Sequence, residues 1–126
     1  MNVSDVMSSR VLTVEPSTPL VDACVELHAN RIGAVLVVEH DRVVGILTER
    51  DVLRAAATSG VHGAVADWMT RGPETIEPSD TTAHAASMMI HGGFRHLPVV
   101  ENGKPVGILS IRDLVRLLDD ETPRGV

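Results

Sequence analysis

Displaced by 62 positions against itself, the chain aligns without a gap from residue 3 to residue 55, with 18 identities in those 53 positions. The identities fall in blocks. Val3-Ser4-Asp5-Val6-Met7 meets Val65-Ala66-Asp67-Trp68-Met69, and Thr13-Val14-Glu15-Pro16-Ser17 meets Thr75-Ile76-Glu77-Pro78-Ser79. Val37-Val38-Glu39 meets Val99-Val100-Glu101, and Gly45-Ile46-Leu47-Thr48-Glu49-Arg50-Asp51 meets Gly107-Ile108-Leu109-Ser110-Ile111-Arg112-Asp113. Such a duplication constrains the fold more than any single motif, because one unit of this size cannot bury its apolar face alone and its copy supplies the cover. Residues 1–57 form the first repeat, 58–64 a small-residue linker, 65–120 the second repeat and 121–126 a polar tail.

Both repeats have the same order of elements. A short strand around Leu12–Val14 leads to Thr18-Pro19, which reads as an N-cap with proline in the first helical position. Leu20, Ala23, Cys24 and Leu27 then recur at helical spacing, as do Thr82, Ala85, Ala86 and Met89. Asn30 and Gly33, or Gly92-Gly93, break that helix. Two apolar strands follow in each repeat, 34–38 with 43–47 and 96–100 with 106–109, and Asn102-Gly103 signals a tight hairpin turn. A second helix opens at Thr48 and at Ser110. The predicted fold is therefore α+β: two β-α-β-β-α repeats packed sheet to sheet about a pseudo-twofold axis, leaving a pair of clefts between them.

The net charge of −6 opposes nucleic acid, and two aromatic residues, Trp68 and Phe94, give no platform for stacked bases. The apolar runs are strand-sized, so no membrane span is expected. The first residues lack a signal peptide's pattern and Cys24 has no partner, which together predict a cytoplasmic protein. The six histidines have no paired metal spacing, and no nucleophile–base set or phosphate-gripping glycine loop is present. No catalysis, metal site or required cofactor is expected. Cys24 lies on the apolar stripe of its helix and reads as a core residue.

The informative block is Gly-x-x-[Thr/Ser]-x-x-Asp: Gly45, Thr48, Asp51, and again Gly107, Ser110, Asp113. It sits where a strand gives way to a helix, whose free N–H groups favour an anion. The hydroxyl can donate to a phosphate oxygen, and the carboxylate can accept both hydroxyls of a ribose. Glycine in the strand admits a ligand or a neighbouring backbone. The same spacing is close to a capping box, in which the acid merely bonds back to its own helix. Both readings stand. Loss of Asp113 is expected to cost ligand under the first and stability under the second.

The order of elements, the Asp-x-Met opening, the Thr-h-x-Pro stretch (h apolar) and the Gly-h-h-[Thr/Ser]-x-[Arg]-Asp close resemble the cystathionine β-synthase (CBS) domain, and the tandem resembles a Bateman module across almost the whole chain. The resemblance implies clefts that bind AMP, ADP, ATP or S-adenosylmethionine, with Asp51 and Asp113 on ribose and Thr48 and Ser110 beside ribose or phosphate. It places adenine against Val14 and Ile76 and against Ala34, Val35, Leu97 and Pro98. Arg31, Arg95 and His96, at the start of the hairpins, and Arg50 and Arg112, inside the motif, are the candidate phosphate partners; each alone also reads as a surface residue. His96-Leu97-Pro98 replaces Ala34-Val35-Leu36, so unequal sites are expected. The implied role is regulation through conformation or assembly of a homodimer or an effector protein. The alternative is a constitutive dimerisation scaffold with empty clefts, using the apolar surface of the second helices.

Overall fold

The computed structural model describes residues 1–121; the tail expected at 121–126 lies, beyond Glu121, outside the described residues. The first repeat contains β1 (Thr13–Val14), α1 (Leu20–Asn30), β2 (Ala34–Glu39), β3 (Arg42–Thr48) and α2 (Glu49–Thr58). The second opens with β4 (Thr70–Arg71) and continues through α3 (Thr82–Gly92), β5 (His96–Glu101), β6 (Lys104–Ser110) and α4 (Ile111–Glu121). β1 pairs parallel to β2, as its helical crossover requires, and Ile76 bridges parallel to Val99 at the equivalent place. Both hairpins turn through two residues of positive φ, His40-Asp41 and Asn102-Gly103.

Why these residues form these elements is clearest at the helix ends. Thr81 caps α3, its hydroxyl accepting from His84 N–H at 3.1 Å. Thr18 does not cap α1: its Oγ1 accepts from Glu15 N–H at 3.1 Å in the preceding turn, and extended Pro19 occupies the cap position instead. Leu20 N–H is then satisfied by Gly63 O of the linker at 2.9 Å. Because Leu20 is N1 of this helix, its N–H has no partner within it, and the linker is bonded to the first repeat.

Each repeat surrenders its first residues to the other. Val3 is fully buried with Ile76, Leu97, Val99 and Leu109 of the second repeat, while Val65 and Met69 are buried with Leu20, Val35 and Leu47 of the first. β4 is the edge strand of the β1-β2-β3 sheet, and Ser8 bridges Ile108 in the mirror arrangement. The duplicated Val-x-Asp-x-Met opening now has a physical meaning. The valine enters the partner repeat's core. Asp5 and Asp67 accept from the N–H of Asn2 and Ala64 at 2.8 and 2.9 Å, closing a single helical turn. The methionine crosses the glycine of the partner's third strand. A Cβ on Gly107 would lie 2.6 Å from Met7 Sδ and 3.0 Å from Ser8 O, and one on Gly45 would meet Met69 Sδ and Thr70 O at the same distances. Of the two roles open to these glycines, close approach of a neighbouring chain segment is the one observed.

The apolar runs of β2 and β5 are buried on both faces. Val35 and Val37 face the helices of the first repeat, and Leu97 and Val99 those of the second. Ala34, Leu36 and Ile46 face the other way and pack with Val11, Val38, Val43 and Ile108, joining the two sheets. That junction forms the floor of a cleft near the mouth of α4.

Candidate functional site

At one side of the junction, near the mouth of α4, lies a cleft of about 900 Å³. Residues on both repeats line it. Val11, Leu12, Leu27, Ile32, Ala34, Leu36 and Ile108 supply apolar wall, and Ser110, Arg112 and Asp113 bring the duplicated motif to the opening. Arg10, Arg31, Arg95 and Arg116 complete a ring of five arginines, half of the ten in the chain. Among the described residues, Glu49 and Asp113 are the only acidic ones in the lining, so a molecule of net charge −6 carries a cationic cleft. Arg10 donates to Asn30 Oδ1 at 3.3 Å, and Asn30 is itself tied to Glu26 O at 2.9 Å. Arg116 Nη1 lies 3.7 Å from Asp113 Oδ1. Among the described residues, Arg31, Arg95 and Arg112 have no carboxylate within ion-pair distance.

The two motif aspartates are both folded onto their own helices. Asp113 Oδ2 accepts from Ser110 N–H at 2.8 Å and from Ser110 Oγ at 3.0 Å, while Asp113 N–H donates to Ser110 Oγ at 3.2 Å. Asp51 and Thr48 make the same three bonds at 2.9, 3.1 and 3.4 Å. The capping box is therefore real in both repeats. It also corrects the expected chemistry: Oδ2 and the hydroxyl proton are spent on the cap, leaving Oδ1 as the acceptor a ribose hydroxyl can use. Each Oδ1 faces an arginine one helical turn on.

There the repeats diverge. Arg54 Nη2 lies 3.4 Å from Asp51 Oδ1 and also donates to Trp68 O at 3.1 Å, with its guanidinium 5.0 Å from the Trp68 ring centre. That cation–π contact pins it. In the second repeat Val6 stands where Trp68 would, and Arg116 is 67% exposed at the cleft. Asp51 and Arg50 are absent from the lining of the described cleft. By the 62-residue shift, the counterparts of Arg10 and Arg31 are Gly72 and Gly93, and that of Leu12 is Glu74. The Asp51 side thus loses two cations and gains an acid.

Of the other expected residues, Ala34, Arg31, Arg95, His96 and Arg112 do meet at the cleft. Val35, Leu97 and Ile76 pack in the helix-facing cores and are absent from the lining of this cleft. Pro98 is fully buried, and Val14 packs on the first core and borders a shallow depression beside the first hairpin turn. Leu36, one residue on from Val35, and Ile108 on β6 line the cleft in their place. Sequence reasoning missed Arg10, Arg116 and Glu49. Arg116 had a signal, since it follows Asp113 by three residues as Arg54 follows Asp51. Cys24 reaches the lining as well as the core, and burial pushes its thiol up, away from nucleophilic use.

Arg31 carries a conformational cost. It terminates α1 with φ 52°, in the left-handed region, where the second repeat has Gly93 at φ 70°. A side chain there costs about 1 kcal/mol relative to glycine. Arg31→Gly is expected to raise the unfolding free energy of the ligand-free protein by about that much while weakening an anionic ligand several-fold. Urea unfolding beside a binding isotherm checks both signs.

Two interlocked repeats with a basic, helix-mouthed cleft between them define a paired-repeat fold. The chain belongs to the CBS domain family, which matches residues 3–58 and 65–120 and so makes it a CBS domain pair. An uncharacterized 17.7 kDa protein of Acidianus ambivalens is 37% identical over 120 residues, covering 94% of this chain and 73% of that protein. Other relatives are longer, and the chain spans 19% to 62% of their length. The CBS domain pair of protein MJ0100, in complex with 5′-methylthioadenosine and S-adenosyl-L-methionine, superposes with a TM-score of 0.92 at 26% identity, covering 97% of this chain and 98% of that one. The CBS domain protein PAE2072 from Pyrobaculum aerophilum, complexed with AMP, gives a TM-score of 0.86 at 30% identity, covering 94% and 97%.

No helix among the described residues is long and apolar enough to cross a membrane, and these residues contain no cluster of three metal-ligating side chains.

Proposed function

We propose that this CBS pair is a non-enzymatic, cytoplasmic regulatory module that binds a phosphate-bearing adenine nucleotide in the Asp113 cleft, one molecule per chain. The observation that carries the reading is the five-arginine ring around an apolar slot whose mouth holds Asp113 Oδ1. The complexes of similar CBS pairs with AMP and with 5′-methylthioadenosine and S-adenosyl-L-methionine support an adenosyl ligand. In this reading Val11, Leu12, Leu36 and Ile108 wall the adenine, Asp113 Oδ1 accepts from ribose, and Arg31, Arg95 and Arg112 take the phosphates. The cationic ring favours AMP, ADP or ATP over the positively charged sulfonium of S-adenosylmethionine. Binding across the junction shifts the disposition of the two repeats, and the output passes to an effector protein or through a homodimer. Val21 and Val25 on α1 and Leu53 on α2 are more than half exposed, which supports a second copy on that helical face.

One observation favours the alternative of a constitutive scaffold: both motif carboxylates are satisfied by their own helices without any ligand. A thermal-shift and calorimetric screen against AMP, ADP, ATP and S-adenosylmethionine separates the two. Ligand at 100 times its dissociation constant is expected to stabilise the protein by about 2.7 kcal/mol, with a stoichiometry near one. A melting temperature unmoved by all four selects the scaffold. Binding of S-adenosylmethionine more tightly than any nucleotide would overturn the assignment of the arginines.

A further inference from the structure

His96 opens β5 and crosses the pseudo-dyad. Its imidazole lies against Gly33 of the first repeat: Nε2 is 3.1 Å from the point a Cβ on Gly33 would occupy, and Glu49 Oε1 is 3.4 Å from that same point. Imidazole and carboxylate therefore converge over one glycine, at the lining of the Asp113 cleft. The pair has no symmetric counterpart. By the 62-residue shift, His96 corresponds to Ala34, Glu49 to Ile111 and Gly33 to Arg95, so neither the imidazole nor the carboxylate is repeated.

The charged groups facing His96 come from three elements: Glu49 at the start of α2, Asp113 and Arg112 at the start of α4, and Arg95 beside it in the chain. Burial is the dominant influence and holds the imidazole below the ordinary histidine range; Glu49 and Asp113 pull it up, while Arg95 and Arg112 push it down. In the unliganded protein it is consequently neutral near pH 7. An entering anion adds negative charge to a cleft whose two arginines oppose protonation, neutralises them, and so favours the imidazolium. An uncharged ligand does neither.

We propose that His96 is a specificity-determining residue through which the cleft prefers a phosphate-bearing adenosyl ligand over an uncharged one, binding a proton together with the anion. The proposal rests on the nucleotide reading of this cleft and adds its proton linkage. The sign follows from that linkage: affinity for the anion rises as pH falls toward the titration range of the free imidazole, and levels off below it.

Calorimetric titrations of the wild type and of His96→Gln with ADP and with 5′-methylthioadenosine, between about pH 6 and pH 8, test it. The ratio of the two proteins' affinities for ADP cancels the ligand's own phosphate titration. That ratio is expected to change at least about fivefold across the range in favour of wild type at low pH, while the ratio for 5′-methylthioadenosine stays constant. A histidine that only fills space would alter both ligands equally at every pH. NMR titration of the wild-type His96 ring needs no variant, and its midpoint is expected to rise on saturation with ADP. Glu49→Gln is expected to move the pH response to lower pH without removing it. A constant ADP ratio, or a ring midpoint unmoved by bound ADP, overturns the proposal and leaves nucleotide binding intact. Failure of both ligands to bind at any pH overturns the nucleotide reading as well.

Discussion

Asp113→Ala is expected to lower nucleotide affinity by about 10- to 100-fold, the loss of one or two hydrogen bonds to a charged acceptor. Asp51→Ala is expected to leave that affinity within about twofold. Both substitutions should cost the free protein about 1 kcal/mol, because each removes an equivalent capping box. The capping geometry thus corrects the expectation that Asp113 can be removed without loss of stability. The pair of variants separates two roles that one variant confounds. Equal stability losses with unequal affinity losses identify Oδ1 of Asp113 as a ligand contact. Equal affinity losses would place a working site on the Asp51 side also, despite Gly72, Gly93 and the pinned Arg54. Isothermal titration together with urea unfolding gives all four numbers.

Removal of residues 1–9 is expected to unfold the second repeat while leaving the first partly ordered. The deletion takes away a fully buried Val3, the packing of Val6 and Met7, and the Ser8 bridge to Ile108. It also takes away the acceptor and donor that Thr82 and Asp80 use at the start of α3: Thr82 N–H donates to Met1 O at 3.0 Å, and Val3 N–H donates to Asp80 O at 2.8 Å. The loss is of order 3–5 kcal/mol, a large share of a small domain's stability. In amide-exchange measurements, protection should vanish across β5 and β6 first. Adding a peptide of residues 1–10 in trans is expected to restore it. Unchanged protection of Val99 and Leu109 after the deletion would show that the segment is not part of that core.

The two deletions of function and fold bear differently on what the sequence makes readable. Repeats, hairpins and helices announce themselves locally: Asn102-Gly103 fixes a turn within two residues, and Leu20, Ala23 and Leu27 fix a helical face within two turns. The exchange of opening segments does not. Val3 packing on Leu97 and Val65 packing on Val35 require the same residues as Val3 packing on Val35 and Val65 packing on Leu97, because the repeats are nearly alike. Duplication hides which copy a segment serves. Which residues of β2 face the cleft is hidden for a related reason. The run Ala34-Val35-Leu36-Val37 has no polar residue to mark its phase, so alternation cannot say that Val35 points to the helices and Leu36 to the cleft. Arg10 has no local signal, because the approach to β1 that carries it meets the α4 mouth only through the sheet junction, whereas Arg116 is marked by the repeated Asp-x-x-Arg spacing. Arg31 could be read, but the reason to single it out, a left-handed backbone accepted where the sister repeat uses glycine, is a property of conformation alone.

The exchanged openings also set the order of events during synthesis. Val3 and Met7 are made about a hundred residues before Leu109, the latest part of the seat that receives them. At ordinary elongation rates that wait is on the order of 5 to 20 s. The first repeat cannot close early either, since Val65 and Met69 complete its interior. The first repeat matures only after Met69 is made and the second only after Leu109, so the segment carrying Val3 waits through both repeats before it docks.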